Sequence, residues 1–296
     1  MAPRPARTDL FLTPAGDAAP VSPARAAVRR IVRDRAAVAS LIFLALLVAA
    51  AWGLAPLLPH EPNTANYSAV YQPPSRTHPF GTDALGRDML ARVLAGARIS
   101  LQIALVAGLI NLVVGVGVGA LAGYAGGRVD DLLMRVVEIL YGIPTILLVI
   151  LLMVWLEQGV ANIYLAIGLT YWLNMARLVR GEVLALKERD FVQAARALGA
   201  GPVRVVGCHL LPNCAGVILV TVTLFIPEAI FAEAFLSYIG LGVPAPDASW
   251  GSLAAEGASN LRAAPYLLFF PAAAICLTML AFNIVGDTLR DAVMGD

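Results

Sequence analysis

Six stretches of this 296-residue chain run for 18 residues or more without an Asp, Glu, Lys or Arg: 36–60, 99–127, 139–156, 158–176, 205–227 and 263–286. A helix needs about 20 largely apolar residues to cross the hydrocarbon core of a bilayer. Each run is long enough, or close to it, to do so. The bilayer offers no partners for unpaired backbone groups, so such runs must be helical. Continuous apolar runs also exclude a transmembrane β-barrel, whose strands alternate apolar and polar residues. The fold expected is therefore an all-α integral membrane protein with six transmembrane helices. Composition agrees: 14% of residues are charged, against about 25% in soluble domains.

The distribution of positive charge orients the spans, because cytoplasmic loops are enriched in Lys and Arg. With the N-terminus inside, sixteen of the 21 Lys and Arg residues fall on the inner side, and five on the outer: Arg76, Arg87, Arg92, Arg98 and Arg262. Both termini are thus expected in the cytoplasm. So is the segment between spans four and five.

The expected organisation follows along the chain. Residues 1–35 form a cytoplasmic tail, Pro- and Ala-rich and disordered to about residue 27, ending in a basic collar of Arg29, Arg30, Arg33 and Arg35. This collar reads as an anchor beside anionic lipid. It has no apolar region typical of a cleavable signal. Residues 36–98 hold the first span and an extracytoplasmic segment. Residues 99–290 hold the other five spans, and 291–296 are a short cytoplasmic end. In the extracytoplasmic segment, Thr82 is a plausible N-cap. Asp83 and Arg87, and Asp88 and Arg92, have the i, i+4 spacing that supports a helix. With Leu85, Met89, Val93 and Gly96 on one face, the spacing predicts an interfacial helix leading into span two. Gly115, Gly119 and Gly123 repeat every four residues in that span. This spacing lets helix backbones approach closely, within the chain or against a second subunit. Pro144, after Gly142, predicts a kink in span three.

Catalytic signatures are missing. The lone lysine, Lys187, follows no Gly-rich loop, so no Walker A site is present. The cysteines (Cys208, Cys214, Cys276) lie in or beside apolar runs and read as small reduced core residues. The three histidines are far apart in sequence. No metal, cofactor or catalytic residue is assigned to this chain, and a net charge of +1 suggests no nucleic-acid partner. Glu228 and Glu233 near the end of span five, with Asp247 and Trp250 in the following loop, are candidates for a pathway or its outer mouth.

Between spans four and five lies "RDFVQAARALGAGPVRVVGCHLLPN", residues 189–213. Phe191, Ala194, Ala195 and Leu198 share one helical face; Arg189, Gln193, Arg196 and Ala200 form the other stripe. Gly199-Ala200-Gly201 ends the helix, and Pro202 suits the first position of a second one, in which Val203, Val206 and Leu210 share a face. The result is a cytoplasmic hairpin over about 187–212. Spacing alone leaves two readings open, an amphipathic hairpin on lipid and a docking element for another protein.

The pattern resembles the EAA loop of ABC-importer permeases, with Ala194-Ala195, Gly199 four residues later, and Leu211-Pro212 beyond. The flanks "HPFGTDALGRD", "GARISL", "FLSYIGLGVPAPDASWG" and "NIVGDTLRDA" are similar to the dipeptide/oligopeptide importer permeases, of the second-permease type. One position departs: Gln193 stands where the motif's Glu would be, which puts any salt bridge from there in doubt. The resemblance implies a transport subunit of a bacterial inner membrane, not an enzyme. It implies a homologous second permease and an extracytoplasmic solute-binding protein. It also implies two cytoplasmic ATPase subunits, which would bind ATP and Mg. The hairpin would be the coupling element, with Arg189, Gln193, Ala194, Ala195, Arg196, Gly199, Ala200, Gly201, Pro202, Leu211 and Pro212 at the docking site. Alternatives are a same-family permease for nickel chelates or glutathione, and a self-contained secondary transporter.

Overall fold

The computed structural model describes residues 30–156 and 159–294. These residues are helical, with no strand beyond one isolated bridge between Thr82 and Asp88. Helix α1 (Arg35–Ala49) starts at Asp34, whose carboxylate accepts from the Ala36 amide at 2.8 Å, and continues through tighter and wider turns to Leu57. The Ala37 amide donates to that carboxylate as well, at 3.3 Å, and the two backbone hydrogen bonds hold the Asp34 carboxyl below the usual range. Helix α2 (Met89–Ala125) is a single helix of 37 residues capped by Asp88. Helices α3 (Gly127–Tyr141) and α4 (Thr145–Leu156) follow, then α5 (Val160–Lys187) and α6 (Asp190–Ala197). Helix α7 (Pro202–Val205) runs through a π turn into α8 (Leu211–Tyr238), giving one apolar rod of 37 residues. Helices α9 (Trp250–Ser259) and α10 (Tyr266–Met294) complete the chain. The tail expected at 1–27, and Arg29 of the collar, lie outside the described residues.

Among the described residues, four helices are long and apolar enough to cross a membrane: Arg35–Leu57, α2, Pro202–Tyr238 and Tyr266–Val293. The expected third span is not one helix. At Gly142-Ile143-Pro144 the chain turns by 89° between α3 and α4, a break far sharper than a kink. The 12 residues of α4 reach only about 18 Å at 1.5 Å per residue, short of a bilayer core. The pair can make a fifth crossing only as a broken span. Helix α5 has 28 residues, but Arg177, Arg180, Glu182 and Lys187 occupy its C-terminal part. Its apolar section is shorter than the helix.

The contact that organises the bundle is α2 against α5. A Cβ added at Gly115 would lie 2.6 Å from Met175 Cβ; one at Gly119 would lie 2.5 Å from the Ala176 carbonyl oxygen; one at Gly123 would lie 2.9 Å from that of Arg180. Helix α5 reciprocates with Gly168, seated against Ile110. The glycine repeat therefore serves packing within this chain. Helix α8 packs α10 in the same way, through Gly216 on Val293 and Gly286 on Leu224.

The interfacial helix expected to begin at Thr82 does not form there. Residues 80–88 are a folded loop, and the helix begins at Met89 as the start of α2. The loop wins because its polar groups find long-range partners. Asp83 and Arg87 do pair, at 2.6 Å, but Arg92 turns to Asp83 and Glu256 while Asp88 takes His78. Leu85 is exposed instead of sharing the buried face of Met89, Val93 and Gly96. Of the cysteines, all free, only Cys214 is buried. The basic collar meets the far end of the chain, where Arg30 donates to the Asp291 carbonyl at 3.0 Å.

Gly119→Ala should lower the stability of the solubilised protein by about 1–3 kcal/mol, because its methyl meets backbone. Gly117→Ala, with open space around it, should leave stability unchanged or raise it; thermal unfolding of both variants in detergent checks the pair.

Candidate functional site

The hairpin lies at the end of the bundle where α2 finishes and α5 finishes. Its two faces are unequal. Val192, Ala195, Val205 and Leu210 are buried, and Val192, Val205 and Leu210 pack with Ala120, Met175, Val179 and Val183 of α2 and α5. Phe191, Leu198 and Val203 face out, with Leu198 89% and Val203 87% exposed. The face expected as Phe191, Ala194, Ala195 and Leu198 is therefore split. Only Ala195 points inward, alongside Val192, because the interior lies on the i, i+3 line through those two.

Two polar contacts tie the hairpin to the bundle, and one more fastens the end of α5 beside it to α2. Lys187 Nζ donates to the Gly123 carbonyl at 3.0 Å, at the last glycine of the α2–α5 seam. The Arg196 guanidinium sits over the Tyr124 ring, 5.2 Å from its centre. Gln193 Nε2 donates to the Lys187 carbonyl at 3.1 Å, at the end of α5. A carboxylate has no proton to donate there at neutral pH, so the Glu-to-Gln departure adds a bond within this chain.

The bend is built from local rules. The Leu198 amide bonds the Ala194 carbonyl and the Ala200 amide bonds that of Ala195, which closes the first helix. Gly199 has φ +88°, a conformation that favours glycine. Gly201 is extended, and Pro202 begins the second helix. Arg189 precedes α6 and is exposed with Ala194, Gly201 and Pro202; Ala200 is half-buried. Leu211 and Pro212 do not mark a break, since the helix runs through them from Pro202. A proline in the first turn of α8 is tolerated there because the preceding π turn already displaces the hydrogen-bond ladder.

The opposite end is a polar lock. Asp83 is fully buried and accepts from the Leu85 and Arg87 amides (2.8 and 2.9 Å), from Arg87 Nε and from Arg92 Nη1 (2.9 Å). Glu256 on α9 approaches the same two guanidinium groups. Burial raises the Glu256 carboxyl, and Asp83 adds to the shift while Arg87 opposes it. Of the four pathway candidates, Glu233 and Trp250 are 0% exposed. Glu233 accepts from Ser237 at 2.7 Å, Ser100 at 3.3 Å and Ser249. Trp250 Nε1 donates to the Val93 carbonyl at 3.0 Å and its amide to Ser100 at 3.1 Å. Neither presents surface to an opening; together they fasten α9 to α2 and α8. Trp250 is thus not an interfacial anchor. Glu228 and Asp247 are exposed.

The fold also joins residues that the sequence keeps apart. Ligand atoms of His60, His78 and Asp88 lie within 4.8 Å of one another. Asp88 already accepts from the Ala91 amide and pairs with His78 Nδ1 at 2.8 Å, so imidazole nitrogens are what this trio could still offer an ion.

The described residues thus form a helical bundle with helices apolar enough to cross a membrane, a hairpin at one end and a polar lock at the other. Residues 115–294 match the family model "Binding-protein-dependent transport system inner membrane component", and residues 22–74 match "N-terminal TM domain of oligopeptide transport permease C". The chain belongs to the binding-protein-dependent transport system inner membrane component family. It is 47% identical over 267 residues to the oligopeptide transport system permease protein OppC of Bacillus subtilis, covering 90% of this chain and 88% of that protein. It is also 47% identical to the dipeptide transport system permease protein DppC of the same organism, over 90% and 83%. The OppC of Escherichia coli K12 is 43% identical, over 90% and 88%. Among solved structures, the MetNI methionine ABC transporter in an inward-facing form aligns with TM-score 0.54 and 20% identity, over 69% of this chain and 97% of that one. That likeness shows the ABC permease fold.

Asp83→Ala would leave Arg87 and Arg92 buried with Glu256 as their only carboxylate. Removing one partner of such a group costs about 3–5 kcal/mol, which denaturant unfolding of the solubilised protein should register.

Proposed function

We propose that this chain is the second-type permease subunit of an ATP-driven importer of dipeptides and oligopeptides in the bacterial inner membrane. The hairpin is its docking element for the ATPases. One observation carries the docking role: a hairpin whose inner face is locked to the bundle leaves Phe191, Leu198 and Val203 exposed on its outer face. Large apolar side chains that protrude on an extramembrane element fit a contact with another protein or with the membrane surface, and the EAA-like pattern favours the protein. The family supports the cargo, since relatives 47% identical over nine-tenths of the chain are oligopeptide and dipeptide permeases.

In this reading two cytoplasmic ATPase subunits bind ATP and Mg, and this chain binds neither. A homologous second permease completes the pathway. An extracytoplasmic binding protein delivers peptide at the end that carries the Asp83–Arg92 lock. Six crossings with both termini inside fit the charge asymmetry, with α3–α4 as a broken third span and α5 as the fourth. Closure of the ATPase dimer displaces the hairpin. The three contacts, at Gly123, Tyr124 and the end of α5, pass that displacement to the α2–α5 seam. A rigid-body shift of this kind is a known route for switching between two packed states.

Replacing Leu198 and Val203 together with Asp should reduce labelled tripeptide uptake at least about tenfold and reduce co-purification of the ATPases, with fold stability changed by less than about 0.5 kcal/mol because both side chains are exposed. Unchanged uptake and ATPase recovery would remove the docking role. Uptake that needs no ATP would point to a self-contained transporter.

A further inference from the structure

A cavity of about 210 Å³ opens between α2, α5 and α8, lined by Asn111, Tyr171, Asn174, Thr221, Phe225 and Glu228 among others. Asn111, Tyr171, Asn174, Thr221 and Phe225 sit in the middle stretches of their helices, with Glu228 about one turn further along α8. Polar side chains at such depth are costly unless they meet partners or a water-filled space.

The chain itself supplies few partners. Asn111 is 3% exposed, and its Oδ1 has no hydrogen-bond partner among the described residues. The ion pairs among the described residues use carboxylates other than Glu228. Thr221 is the satisfied member, donating to the Val217 carbonyl at 2.9 Å. The Tyr171 ring stands edge-on to Phe225, 5.3 Å between centres, and forms an aromatic wall.

What remains open is one carboxylate, one amide oxygen and an aromatic wall. The carboxylate and the amide oxygen both accept hydrogen bonds, and the carboxylate carries a negative charge when ionised. The complement is a cation with several N–H donors, small enough for a cavity that cannot take a whole oligopeptide. We propose that this cavity is a subsite on the transport pathway for the α-ammonium end of a peptide. Glu228 is the counter-charge, Asn111 Oδ1 accepts an N–H, and the Tyr171 ring borders the group. The proposal rests on the peptide-importer reading and names what part of the peptide this chain recognises.

The test uses the assembled complex in detergent, without its binding protein. Equilibrium binding is measured for a radiolabelled tripeptide and for the same tripeptide N-acetylated, with wild type and with Glu228→Gln and Glu228→Asp. A hydrogen bond to a charged group contributes enough that wild type should prefer the free amine about tenfold or more. Glu228→Gln should abolish that preference and Glu228→Asp should restore most of it. No preference in wild type, or a preference that survives Glu228→Gln, overturns the subsite. Loss of the second permease from the Glu228→Gln complex would also overturn it, by assigning the carboxylate to a contact between subunits. Tripeptide uptake by the wild-type complex with its binding protein, in proteoliposomes, keeps the two failures apart. A complex that transports peptide without a Glu228-dependent preference refutes the subsite alone; one that transports no peptide refutes the importer reading.

Discussion

The close approach of α2 and α5 is the contact on which the other features depend. Lipid tails are as apolar as leucine, so helices in a bilayer gain little from burying apolar surface against each other. They associate through dense packing, and backbone contact is the densest available. Gly115, Gly119 and Gly123 supply it on one side, against Met175, Ala176, Val179 and Val183 on the other. Once these two helices are fixed, their near ends define the corner on which the hairpin sits. Their middles define one wall of the polar cavity. The far end of α2 supplies Val93 and Ser100, which hold Trp250 in place.

The two ends of the bundle solve opposite problems. At one end, Asp83, Arg87, Arg92 and Glu256 pair with one another, and Glu233 accepts from three serines. Buried charges and carboxylates of this kind hold loops in one arrangement, because any other leaves a buried group unpaired. At the other end, the outer surface of the hairpin carries Phe191, Leu198 and Val203 beside the charged Arg189, Asp190 and Arg204. On the proposed reading, a rigid cap and a hairpin with exposed apolar side chains serve a subunit that receives cargo at one end and a mechanical input at the other. The ties from Lys187, Gln193 and Arg196 end on the last turn of α2, the end of α5, and Tyr124. A push on the hairpin would therefore reach the glycine seam first.

Much of this was legible in the chain. Uncharged runs mark α1, α2, α8 and α10, and the glycine-proline bend at 199–202 locates the hairpin. The EAA-like pattern, with its flanks, gives the family. What the sequence hid has a common cause. The i, i+4 rule finds Asp83 with Arg87 but also suggests Asp88 with Arg92, and it cannot see Glu256 or His78 competing for those groups. Ser100 and Glu233 are 133 positions apart, so the burial of Glu233 has no local signal. The same holds for His60 beside His78. Hydropathy treats 139–156 as one run because Gly142 and Pro144 are uncharged, although together they turn the chain by 89°. Helical spacing groups Phe191 with Ala195, but which of them faces inward depends on where α2 and α5 stand.

The direct test of the central claim is to find what touches Leu198 in the cell. A photo-crosslinking amino acid at position 198, with the complex expressed whole, reports the neighbour of the hairpin's outer face. The account predicts a covalent adduct to a cytoplasmic ATPase subunit, with a yield that changes when ATP is trapped in the complex. Crosslinking to lipid alone, or to the extracytoplasmic binding protein, would contradict it.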